Sequence, residues 1–191
     1  MEIILDNAVW MSYNLMLGLV AWGFAVVGFA RKQSIVVSMV VWLLWLIFLP
    51  NTVYVLTDIQ HFWGQIILLP VELWFWLVLE YLILYAVGIM AYFGSLYLFE
   101  QYMVRVKWLK NKPEFRTFIM CGLIFLVGVG VVMGRVQRTN SWDLFLQPLR
   151  TINDLFAVMT RMDTLTYIVL FSVLTMVLYY LLKRLAYFKK R

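Results

Sequence analysis

Long apolar runs alternate along the chain with short polar interruptions. The runs cover residues 9–30, 34–49, 71–98, 117–133 and 165–182. At 1.5 Å per helical residue most of them approach or exceed the ~30 Å core of a bilayer. The run at 34–49 reaches only ~24 Å and is short. The pattern predicts an all-α polytopic membrane bundle of five transmembrane helices, formed as one domain over 1–191. Two stretches, 51–69 and 134–163, are too polar to span and are expected outside the lipid.

The interruptions are chemically specific. Arg31 and Lys32 stop the first span, and Pro50 is expected to break or kink the second, because its ring clashes with the preceding turn. Pro70 suits the first turn of the third span. Gly130 and Gly134, four residues apart near the end of the fourth span, permit close helix packing. Within 51–69 a short outer helix is expected at about 53–62. Within 134–163, Leu149, Ile152, Leu155, Phe156, Met159 and Met162 recur at helical spacing. They predict an amphipathic helix lying in the membrane interface.

Composition reinforces this reading. Of 191 residues, 64% are hydrophobic and 14% are charged, where a soluble domain carries about 25% charged residues. The net charge of +6 would suggest a nucleic-acid partner if the basic residues were clustered on one surface. They sit at segment ends instead, so they report orientation and no nucleic-acid binding is expected. Arg31, Lys32, the basic loop from Arg105 to Arg116 and the tail Lys183–Arg191 fall on one side; Arg135, Arg138, Arg150 and Arg161 fall on the other. The positive-inside rule then places the N-terminus outside and the C-terminus in the cytoplasm. The N-terminus lacks the basic region of a signal peptide. Cys121, the single cysteine, has no intramolecular partner.

Candidate chemistry gathers in two tracts. On a helix turning about 100° per residue, Asn51, Tyr54, Asp58, His61 and Gln65 share one face. With Thr57 they form a dense polar stripe at a span end. The second tract is Gly134-Arg135-Val136-Gln137-Arg138-Thr139-Asn140-Ser141-Trp142-Asp143-Leu144. Both tracts, and Glu72, fall on the outer side of the predicted topology. Charged groups near lipid are costly unless paired or hydrated, so the tracts are expected to converge on a shared, partly buried cluster.

Asp58 and His61, spaced i, i+3, allow three readings. Asp58 could orient His61 as a general base of a hydrolytic site. The pair could ligate a divalent metal with Glu72 or Asp143 completing the shell, though two ligands alone are a weak metal signal and no cofactor is otherwise indicated. Or Asp58 pairs with Arg135 or Arg138, and His61 is a hydrogen-bonded interfacial residue. Arg135 and Arg138 suit bidentate capture of a phosphate or carboxylate. Asn140 or Ser141 suits a helix N-cap with Asp143 in the first turn. Glu80, two turns deeper than Glu72, is expected to hydrogen-bond a neighbouring helix. Phosphate-loop, dinucleotide, nucleophile-elbow and zinc-protease signatures do not occur.

Pro50-Asn51-x-x-Tyr54-x-x-Thr57-Asp58-x-x-His61 and Asn140-Ser141-Trp142-Asp143-Leu144 together resemble an uncharacterised family of bacterial membrane proteins, catalogued as domain of unknown function 1361. The motifs stand in that family's order and spacing. This chain has Val53 where the family pattern often has proline. The resemblance implies a bacterial multi-span protein, hence the cytoplasmic membrane, and carries no activity or substrate. The function expected is an outward-facing pocket for a polar or anionic group, either a lipid headgroup or a small solute. Asn51, Tyr54, Thr57, Glu72, Arg135, Arg138, Asn140, Trp142 and Asp143 would contact it, with membrane lipids as partners. A membrane hydrolase or transferase acting through Asp58 and His61, or a non-catalytic subunit of an envelope complex, are the alternatives.

Overall fold

A computed structural model describes residues 2–31 and 33–188, and every regular element among them is helical. Lys32, Lys189, Lys190 and Arg191, which the orientation argument used, lie outside the described residues. Helix α1 (Glu2–Ala25) ends in a wide turn at Val26–Ala30. Helix α2 (Ile35–Phe48) starts at Ser34, whose hydroxyl accepts from Val37 N. It is followed by α3 (Asn51–Tyr54), a tight 3-10 turn at Val55–Asp58, and α4 (Ile59–Leu68). A 3-10 turn at Val71–Leu73 leads into α5 (Trp74–Arg105). Then come α6 (Lys107–Lys110) and α7 (Pro113–Val132), which widens at Met133–Gln137. The short α8 (Asp143–Leu146), α9 (Pro148–Thr160) and α10 (Met162–Phe188) complete the chain.

Five helical stretches are long and apolar enough to cross a membrane: Glu2–Ala30, Ile35–Leu68, Val71–Arg105, Pro113–Gln137 and Met162–Phe188. Their outer surface is apolar. Val9, Ile35, Ile67 and Phe75 are each more than 60% exposed, an arrangement that water would penalise and lipid would not. Inside, Phe29, Trp45 and Phe99 interlock at one end of the bundle, with Phe29 edge-on to Trp45 at 4.7 Å between ring centres. Met11, Leu77, Tyr81 and Leu84 pack at the other end. Val129, Val132, Val158 and Ile168 join α7, α9 and α10.

The principal departure from expectation is at Pro50. The second apolar run does not stop there, and 51–69 is not a separate segment. Helical backbone continues through Pro50 (φ −57°, ψ −31°) and on to Leu68. Thr52, Val53 and Val55 are buried. Thr52 lies beside Gly18 and Gly88, and Val55 beside Gly88, near mid-height of α1 and α5. Proline's missing N–H and its ring force a local change in pairing. Thr52 N and Val53 N reach back only three residues, to Leu49 O and Pro50 O, at 3.1 and 3.2 Å.

Four glycines make room for this turn. A Cβ on Gly130 would sit 2.5 Å from Pro50 Cγ, and one on Gly88 would sit 2.6 Å from the Thr52 carbonyl oxygen. Gly134 faces the Tyr54 ring, and Gly18 faces Thr52 Cα. Pro50 and Tyr54 form an i, i+4 ridge, and Gly130 and Gly134 form the matching groove, as helix packing requires.

Candidate functional site

The proline leaves carbonyls of the preceding turn without their usual amide partners, and side chains replace them. Asn51 Nδ2 donates to Phe48 O at 3.0 Å and to Ser141 Oγ at 2.8 Å. Ser141 Oγ donates in turn to Ile47 O at 3.1 Å. Thr52 Oγ1 donates to Leu49 O at 2.7 Å. The two polar tracts therefore meet at the kink, although Asn51 and Ser141 are 90 residues apart. Ser141 was expected only as a helix cap. A serine hydroxyl inside an apolar protein needs a backbone acceptor, and that requirement was the available signal.

Two turns along, Arg135 reaches across the seam. Its Nη1 lies 3.4 Å from Asp58 Oδ1, and its Nη2 lies 3.4 Å from His61 Nε2. An arginine only donates, so Nε2 carries the lone pair at this contact and the ring proton sits on Nδ1. Asp58 and His61 do not bond to each other; the guanidinium stands between them. The Asp-orients-His geometry of a general base is not formed, for the physical reason that the carboxylate's partner is a full cation. Asp58 is 3% exposed, and its Oδ2 is buried without a hydrogen-bond partner.

The second tract is ordered by its own short bonds. Asp143, buried, accepts from Asn140 N at 2.7 Å. Asp143 stands in the first turn of α8, as expected, but neither Asn140 nor Ser141 caps that helix; the carboxylate reaches back to the Asn140 amide instead. Thr139 Oγ1 donates to Asp154 Oδ2 at 2.7 Å, tying the loop to α9. Arg138 adopts left-handed backbone (φ 54°), the only non-glycine residue to do so among those described. This position after a helix usually holds glycine, because a side chain there is strained.

Between α1 and α2 on one side and α7 and α9 on the other lies a cleft of about 960 Å³. Of the residues expected from sequence, Asn51, Tyr54, Asp58, His61, Arg135, Arg138 and Asn140 line it. Four do not. Thr57 turns its hydroxyl onto Tyr54 O at 2.7 Å. Trp142 packs edge-on to Tyr13. Asp143 lies beneath the lining, against Asn140. Glu72 is exposed in the turn before α5, because the unbroken helix to Leu68 carries it away from the kink. Among the described residues no three of His, Cys, Asp and Glu are close enough to share a metal, so neither Glu72 nor Asp143 completes a shell with Asp58 and His61.

A second polar network was missed from sequence. Asn7 and Gln65 form a reciprocal amide pair at 3.0 and 2.8 Å. Trp10 Nε1 donates to Asn7 Oδ1, and Tyr81 OH donates to Gln65 Oε1. Asn7 Nδ2 also lies 3.3 Å from Glu80 Oε2, so Glu80 does bond a neighbouring helix. The Trp10 ring then touches His61 edge-on, at 6.1 Å between centres. Asn7, just ahead of the first apolar run, was the signal for this network.

The fold and its apolar outer surface define a multi-pass membrane protein with polar contacts between its helices. The chain belongs to the family described as "Protein of unknown function (DUF1361)", whose sequence model matches residues 13–178. No curated protein and no solved structure matches the chain.

Proposed function

We propose that the cleft binds a polar or anionic group, a lipid headgroup or a small solute, at the outer face of a bacterial cytoplasmic membrane. In this reading the N-terminus is outside, the C-terminus is cytoplasmic, and α9 lies in the interface with Leu149 and Phe156 in lipid. One observation carries it. Arg138 closes the turn after α7 in strained left-handed backbone beside the cleft, its N–H on Met133 O, and its exposed guanidinium has no hydrogen-bond or ion-pair partner among the described residues. Strain of this kind persists where a side chain is needed in one place. Arg135 is already matched by Asp58, so the cleft keeps one unmatched guanidinium, shaped for a phosphate or carboxylate. Asn51 and Ser141 fix the wall, Tyr54 and Asn140 offer polar atoms, and the Asp58–Arg135–His61 chain holds the floor.

The test is the composition of what co-purifies. Extraction of bound molecules from the purified full chain, followed by mass spectrometry, is expected to show an anionic species enriched over bulk by about tenfold. Arg138→Ala is expected to abolish the enrichment. Recovery of bulk lipid only, the same from wild type and variant, would remove the proposal.

A further inference from the structure

The cleft has two chemically different ends, and the seam between them says what kind of molecule fits. Helix α1 packs on α2, α3 and α5, whereas α7 packs on α10 and α9. The cleft is the gap between these two groups. Towards one end it presents Arg138 and His61, and towards the other Leu46, one turn before Pro50, and Leu126, one turn before the Gly130 that Pro50 packs on; Asn140 lies between, beside the Ser141 that bonds Asn51 and Ile47. Leu126 lies nine residues before Arg135 on the same helix, so the apolar part extends ~13 Å beyond the guanidinium. Leu126 and Ile152 line the cleft and are also about half exposed. Ile152 shares a face of α9 with Leu149 and Phe156, three residues before it and four after, and both of these are exposed. A hydrocarbon chain could therefore leave the cleft sideways without crossing polar groups.

We infer that the occupant is an amphiphile: a membrane lipid whose anionic phosphate headgroup meets Arg138 and Asn140 and whose alkyl chain runs past Leu126 and Ile152 into the bilayer. This rests on the reading of the cleft as an anion site and narrows it from any anionic group to a lipid. A small water-soluble anion would satisfy the polar end and leave the apolar half wet, which its walls disfavour. The guanidinium fork matches phosphate oxygens in pairs. The zwitterionic headgroup of phosphatidylcholine would bring a trimethylammonium toward the same unmatched arginine.

Native mass spectrometry of the full chain in detergent tests this, with phosphatidylglycerol, phosphatidylcholine and glycerol phosphate as the probes. The expected result is one retained phosphatidylglycerol, favoured over phosphatidylcholine by about tenfold. Glycerol phosphate at the same concentration should not displace it. Arg138→Ala should lower retention by about tenfold or more. Leu126→Trp, which fills the apolar half, should do the same, with Ile152→Trp as an independent second block. Variants are compared only where circular dichroism and thermal unfolding match wild type. If glycerol phosphate competes mole for mole and both tryptophan variants retain lipid, the amphiphile inference fails and the anion site stands. If the two lipids are retained alike, the headgroup assignment is overturned. If Arg138→Ala changes nothing, the anion reading fails and takes this one with it.

Discussion

Asn51 uses one amide nitrogen to serve two acceptors, the Phe48 carbonyl and the Ser141 hydroxyl. Asn51→Leu removes both bonds and leaves buried polar atoms unsatisfied, which costs about 1–3 kcal/mol for such a group. Thermal unfolding in detergent should show that loss, and Ser141→Ala should show a similar one. The two are not additive in the double variant, because both act on one network. The arginines should separate differently. Arg135→Ala leaves Asp58, 3% exposed, without its counter-ion. Breaking a buried pair in this way costs about 3–5 kcal/mol, reduced here because the arginine itself is partly solvated. Adding Asp58→Asn should recover much of that stability. Arg138→Ala should leave stability within about 0.5 kcal/mol, as for other surface changes, because alanine keeps the Cβ that strains this backbone, while abolishing binding. Sequence alone offered the pairing of Asp58 with Arg135 or Arg138 as one of three readings. It could not show Arg135 intruding between Asp58 and His61, because helical spacing describes neighbours on one helix and the intruder comes from 77 positions away.

Element-scale behaviour turns on the glycines around the kinked second helix. Gly130→Ala and Gly88→Ala place a methyl group 2.5–2.6 Å from Pro50 or from the Thr52 backbone. Each is expected to destabilise by about 1–3 kcal/mol, as overpacking does. Gly23→Ala and Gly122→Ala meet nothing within 4 Å and sit inside helices, so they should be neutral or stabilising by up to about 1 kcal/mol. A thermal-shift comparison of the four variants checks this contrast, and equal effects would mean that the helices do not approach as described. The Gly130–Gly134 spacing was legible as a close-packing signal. What it packs against was not, because the proline ridge that fills it had been read as the end of a helix. Proline does end most helices. Here tertiary donors and a 3-10 turn compensate, and neither is visible in local sequence.

At the scale of the whole molecule, five spans were legible because spanning length and apolar content are local properties. Helix ends were less so. The third span was expected to stop near Leu98 and runs to Arg105, since Glu100 is satisfied within the bundle by Tyr179 and Lys183 and gives no reason to leave it. The proposed orientation has a direct check. On a Cys121→Ala background, a cysteine placed at Gln60 should react with a membrane-impermeant thiol reagent in intact cells. One placed at Trp108 should react only after lysis; the reverse pattern would invert the topology. The bonds joining Asn51, Ser141 and the Ile47 and Phe48 carbonyls bear on how such a protein can be recombined. They stitch the second helix to a loop encoded some ninety codons later. A chimera that exchanges only the first half of the chain with a distant homologue inherits a bent helix without the serine that quenches it. A functional graft of the 50–61 stretch into another scaffold must bring the 139–143 loop along.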